Sequence, residues 1–153
     1  MDAEKLNNYI KSNSLKVIEI ELGTVTFLKD NIFHLLIKSD IDLNVEEGFF
    51  LRNTILSEYE LNNFSLICDT TNFNGHVSIE IINHFINDYE FNSKCSFHAI
   101  IMNNLAYELM GNFYLKFLQK KVVARLFKKE DDALKWVLDN FKTPLSNQNM
   151  ELV

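Results

Sequence analysis

FHAIIMNN (97–104), LAYELMGNFYLKFLQ (105–119), VVARLF (122–127) and KKEDDALKWVLDNF (128–141) form the stretch whose reading decides the fold. It reads strand, helix, strand, helix with almost no spare residues. Two short apolar runs alternating with two amphipathic patterns predict parallel strands joined by a helical crossover, the architecture of an α/β domain. In the helix Leu105 to Leu118 the spacing puts Ala106, Leu109, Met110, Phe113 and Phe117 on the buried stripe. The last helix opens on Glu130, Asp131 and Asp132, which suit its positive dipole end. Ala133, Leu134, Val137 and Phe141 then supply its apolar face, with Trp136 at the flank.

Working outward toward the N-terminus, residues 3–12 read as a short helix with Leu6, Tyr9 and Ile10 on one side. Alternation follows at Val17, Ile18, Ile20 and Leu22, then at Val25 and Phe27, with Gly23 between them as a tight turn or a bulge. Lys29-Asp30-Asn31 is turn chemistry, and Ile32 to Ile37 is a third strand, so the domain begins as an antiparallel meander. Asn44-Val45-Glu46-Glu47 has the spacing of a capping box. Phe50, Leu51, Thr54, Ile55 and Glu58 continue it as a helix to about Tyr59. Phe64 to Cys68 is a buried-type strand ending in Asp69-Thr70-Thr71, and a polar loop leads to a helix carrying Val77, Ile81, Ile82 and Phe85. The expected fold is α/β: a mixed sheet of about five to six strands, antiparallel then parallel, under about four helices. Residues 1–15 are an N-terminal, helical extension, 16–142 a single domain, and 143–153 a frayed tail.

At 153 residues and 47% hydrophobic, the chain has the size and composition of one domain with a sizeable core. Its net charge is −6, and the paired Lys120–Lys121 and Lys128–Lys129 make no basic face, because Glu130, Asp131 and Asp132 follow at once. Nucleic acid is therefore not an expected partner. MDAEKLNNYIKSNS has no apolar core of a signal peptide. No apolar run approaches the roughly 20 residues needed to span a bilayer. Cys68 and Cys95 lack metal-ligand spacing, and Cys68 reads as a buried thiol in a strand. A cytoplasmic protein is expected.

His34, His76, His84 and His98 fall in no HxH, HExxH or Cys/His pattern. Four widely spaced glycines leave neither a nucleophile elbow nor a phosphate-binding loop. Asp69, at a strand end, invites comparison with a response-regulator phosphoacceptor. An early pair of acids to hold magnesium is missing, and Lys128 alone approximates the later lysine. The expectation is a non-enzyme with no catalytic residue, no cofactor and no metal.

From about Asp42 to Phe141, about two thirds of the chain, the sequence resembles the STAS superfamily, the domain of anti-sigma-factor antagonists. It looks closest to the divergent bacterial branch typed by a sporulation anti-anti-sigma factor (SpoIIAA-like). The resemblance rests on FSLICDTT (64–71), on AIIMNNLAYELMGNFYLKF (99–117) with its Asn112-Phe113-Tyr114-Leu115 element, and on VVARLFKKEDDALKWVL (122–138). It implies a non-enzymatic regulatory module acting by protein–protein contact.

In phospho-switched STAS domains a Ser opens the helix after the strand equivalent to 64–68. Ser78 falls near that place, making Ser78, Asp69, Thr70 and Thr71 the candidate switch and partner edge. Val77 stands where that family has Asp, and His76 and Gly75 do not restore the pattern, so a plain N-cap competes with the switch. A phosphate on Ser78, at the helix start beside Asp69, would gain from the helix dipole and be repelled by that carboxylate.

Related branches resemble lipid-transfer modules, which adds an alternative: a carrier or sensor of an apolar small molecule or lipid. Phe113, Tyr114 and Phe117 would line its pocket, between the 105–118 helix and the sheet. The strands at Val17 to Leu28 are expected to include a sheet edge, which leaves a homodimer open.

Overall fold

The computed structural model describes residues 3–58 and 63–141. The chain opens with helix α1 (Ala3–Asn13), then strands β1 (Ser14–Ile20), β2 (Gly23–Leu28) and β3 (Ile32–Ile37). Helix α2 (Val45–Glu58), strand β4 (Phe64–Asp69), helices α3 (Ile79–Asn87) and α4 (Tyr89–Lys94) and strand β5 (Cys95–Ile101) follow. Helix α5 (Leu105–Leu118), strand β6 (Val123–Phe127) and helix α6 (Glu130–Phe141) complete it. The expectations for Tyr59 and for the tail 143–153 lie outside the described residues.

All six strands form one sheet in sequence order. The β1–β2 and β2–β3 pairs are antiparallel, and the β3–β4, β4–β5 and β5–β6 pairs are parallel. This is the expected meander followed by parallel strands, an α/β arrangement. The first hairpin turns at Glu21-Leu22, and Gly23 opens β2. Its role is close approach, because a Cβ there would lie 1.9 Å from the Leu36 carbonyl oxygen on β3. The second hairpin places Asp30 and Asn31 in the left-handed region, with φ of 66° and 57°. Their short polar side chains tolerate that region better than most.

Strand alternation divides the core in two. Val25, Phe27, Phe33, Leu35, Phe64, Leu66 and Ile100 face α2, α4 and α5, with α3 beside them. Leu28, Ile32, Ile67, Ala99 and Ile101 face Leu6 of α1 and Ala133, Leu134 and Val137 of α6. The result is a three-layer helix–sheet–helix sandwich. Tyr9 and Ile10 join Leu6 in the second layer, as their spacing predicted. The α2 capping box forms in part: the Asn44 N–H donates to Glu47 Oε2 at 3.1 Å.

Two elements differ from the sequence reading. Helix α4 was not expected, because YEFNSK has a single strong anchor: Phe91 is 2% exposed. Asp88 caps it by accepting the Phe91 N–H at 3.1 Å. Helix α5 is present at its expected position but is rotated about its axis. Gly111, Leu115 and Leu118 are its buried residues, with Tyr107, Met110 and Tyr114 partly buried beside them. Leu109, Phe113 and Phe117, assigned to the buried stripe from spacing, are exposed instead.

Candidate functional site

Helix α5 presents two distinct faces. Asn104 caps its N-terminus, its side chain accepting the Ala106 N–H at 2.9 Å. On the inner face Gly111 lets the helix sit close to the sheet, since a Cβ there would lie 2.8 Å from the Met102 sulfur. On the outer face Leu105, Leu109, Phe113 and Phe117 recur every fourth residue. They are 73%, 67%, 54% and 39% exposed, a continuous apolar stripe rather than scattered single residues. The Phe113 and Phe117 rings meet edge to face at 5.2 Å. Lys120 Nζ stands 5.9 Å from the Phe117 ring centre.

Beneath the inner face lies a cavity of about 160 Å³ between α5, α3 and the sheet. Tyr107, Met110 and Tyr114 of α5 line it from above, and Leu35, Leu66, Cys68, His98 and Ile100 from the sheet. Of the three aromatic residues proposed for a pocket, Tyr114 lines it. Phe113 and Phe117 stand on the opposite side of the helix. Burial pushes the His98 imidazole down to about 4 and the Cys68 thiol up to about 12, with neighbouring Asp69 adding to the latter. Both groups are therefore neutral at ordinary pH. Burial raises the Tyr114 hydroxyl as well, with further contributions from Cys95 and Cys68. Tyr107 anchors the rim, its hydroxyl donating to the Gly75 carbonyl at 2.6 Å.

The proposed switch residues separate. Asp69 points to the α6 side of the sheet, where its carboxylate accepts the Thr71 N–H at 3.0 Å and the Thr71 hydroxyl at 2.5 Å. His34 Nε2 lies 3.5 Å from it. The Thr71 hydroxyl also reaches Glu130, in the first turn of α6, at 3.2 Å. Burial works to raise the Asp69 carboxyl, but contact with His34 and Thr71 outweighs it and holds the group below its usual value. Glu130 moves the other way, raised by partial burial and then by Asp69.

Thr70 faces the cavity, its hydroxyl donating to the Ile101 carbonyl at 2.6 Å. Ser78 caps α3, accepting the Glu80 N–H at 3.1 Å, and its own N–H donates to the Leu43 carbonyl at 2.9 Å. Because α3 covers the opposite face of the sheet from Asp69, a phosphate on Ser78 would not sit beside that carboxylate. Lys128, compared above with a receiver-type lysine, reaches Glu108 at 3.6 Å and remains mostly exposed.

Sequence reasoning missed the Asp69–His34–Thr71–Glu130 cluster. It treated His34 as unrelated to any site, and strand ends alone did not give the register that brings it to Asp69. Among the described residues no group of three His, Cys, Asp or Glu side chains is placed to hold a metal ion. Among them, too, no helix is long and apolar enough to cross a membrane.

A mixed sheet opened by an antiparallel meander and covered by helices on both faces defines an α/β module. Residues 26–142 match the family described as Domain of unknown function (DUF7793), and the chain belongs to that family. No curated protein matches it. Among solved structures it is similar to an uncharacterized protein of the DUF3478 family with a SpoIIAA-like fold, from Shewanella loihica PV-4. The two share 15% identity over 79% of this chain and 90% of that one, with a TM-score of 0.47.

Proposed function

We propose that this protein is a non-enzymatic regulatory module that binds a partner protein through the outer face of α5. The observation that carries this reading is the stripe Leu105, Leu109, Phe113 and Phe117, four large apolar side chains held in water at helical spacing. A helix surface of this kind is suited to receiving another apolar helix face. The same surface carries Lys116 and Lys120 toward its C-terminal end and no acid, since Glu108 is turned to Lys128. The partner segment that fits is an amphipathic helix with an apolar stripe and carboxylates at one end.

The test compares the unaltered chain with the double variant Leu109→Asp/Phe113→Asp in cross-linked pull-downs from the native cell. A protein recovered by the first and lost by the second, with both chains folded by circular dichroism, supports the reading. Recovery of the same proteins by both, or turnover of a metabolite by the purified chain, defeats it. A homodimer through the β1 edge is a separate proposal, motivated by exposed Leu15 and Val17. Light scattering that gives a strictly monomeric mass at high concentration removes it.

A further inference from the structure

We propose that the cavity beneath α5 is a binding site for a small, uncharged, single-ring apolar molecule. Protein interiors are packed about as densely as organic crystals, and voids larger than a water molecule are few. A void of about 160 Å³ is therefore conspicuous. Its size matches the roughly 150 Å³ of an engineered apolar cavity, in an unrelated protein, that stays dry and takes up benzene or xenon.

The lining decides the chemistry. Leu35, Leu66, Ile100, Met110 and the Tyr114 ring supply apolar contact from the sheet and from α5. Water needs two to four polar partners to be held in such a space. The polar groups at hand give few: the Thr70 hydroxyl is committed to Ile101 and the Tyr107 hydroxyl to Gly75. The His98 imidazole and the Cys68 thiol are both neutral there, so nothing compensates a charged guest.

Volume then sets the upper limit. Sites for drug-sized ligands run to about 300–1,000 Å³, so this space matches one ring in size and is too small to bury the long chains of a membrane lipid. The occupant is correspondingly smaller than the lipid that the family resemblance brought into view.

Titration of benzene, and separately of toluene, into the full-length chain tests the site by methyl NMR and by thermal melts. Saturable shifts at the methyls of Leu35, Leu66 and Ile100 are expected. The midpoint should rise by about 4 °C when the ligand stands tenfold above its dissociation constant. Cys68→Leu and Leu66→Phe, which fill the space from the sheet side, should weaken benzene binding by about tenfold or more. Intermolecular NOEs from benzene to Ile100 and Tyr114 in the unaltered chain decide the point even if a filled variant does not fold. Absence of saturable binding up to the solubility limit of both probes overturns the proposal. So does undiminished affinity in both filled variants.

Discussion

His34 Nε2 on β3 lies 3.5 Å from Asp69 Oδ2 on the neighbouring parallel strand, two residues beyond direct register, where His34 faces Ile67. Both side chains are only 7% exposed, so the contact is sheltered from water and salt. The Asp69 carboxyl is held below its ordinary value because His34 and Thr71 outweigh the effect of burial. A depressed carboxyl contributes stability that is present in full above its unfolded value near pH 4, and that fades as pH falls through the folded value. Asp69→Asn should therefore cost about 1–3 kcal/mol at pH 7, with the gap narrowing below about pH 4. Urea titrations at pH 7 and pH 3.5 measure both. Equal stabilities of the two chains at pH 7 would contradict the assignment.

His98 adds to this acid sensitivity, over a window that begins at higher pH. Its imidazole is 8% exposed, and burial lowers it to about 4. Below its unfolded value of about 6.5 the unfolded chain takes up a proton that the folded chain does not. Stability should fall as pH drops from 6.5 toward 4, by up to about 3 kcal/mol over the whole window. His98→Leu should flatten that part of the profile, whatever it does to stability at pH 7. A profile of unchanged slope between pH 6.5 and 4.5 would exclude His98 as its source.

Gly23→Ala tests the hairpin packing. The added carbon would lie 1.9 Å from a backbone oxygen of β3, and backbone cannot swing aside as a flexible side chain can. The expected cost is about 1–3 kcal/mol, in the range of overpacked sites. A neutral result in a thermal melt would mean that β2 and β3 stand further apart here.

Ser78→Ala should lower stability by about 1 kcal/mol through loss of the α3 cap. Ser78→Asp keeps a capping oxygen and should fold as the unaltered chain does. With Asp69 on the far side of the sheet, the added charge does not meet that carboxylate. Partner capture by Ser78→Asp should equal that of the unaltered chain, which leaves Ser78 as a structural cap. Loss of capture with the fold intact would restore the phosphorylation reading.

The order of strands and helices was legible because apolar runs such as Ile32 to Ile37 and Phe97 to Met102 differ in period from the helices around them. The capping signals at Asn44 and Asn104 are local and therefore also readable. Rotation of α5 was not legible, because that helix carries two apolar stripes. Leu105, Leu109, Phe113 and Phe117 satisfy the helical spacing as well as Tyr107, Gly111, Tyr114, Leu115 and Leu118 do. Spacing cannot choose between them, and the inner stripe is marked chiefly by a glycine, which carries no hydrophobic signal. The His34–Asp69 contact joins residues 35 positions apart and depends on strand register, which no local pattern encodes.

The two faces of α5 make opposite predictions for substitutions only two residues apart. Leu115 is 7% exposed and belongs to the larger core cluster, so Leu115→Ala should cost about 2–5 kcal/mol, as core leucine truncations do. Phe113 is 54% exposed, and its nearest aromatic neighbour is Phe117 on the same face. Phe113→Ala should stay within about 0.5 kcal/mol of the unaltered chain, because it uncovers no core. The comparison needs only two denaturation curves and no knowledge of the partner. If Phe113→Ala instead proves as costly as Leu115→Ala, α5 is turned as the simple stripe in the sequence suggested. The outer face would then not be free to receive another protein.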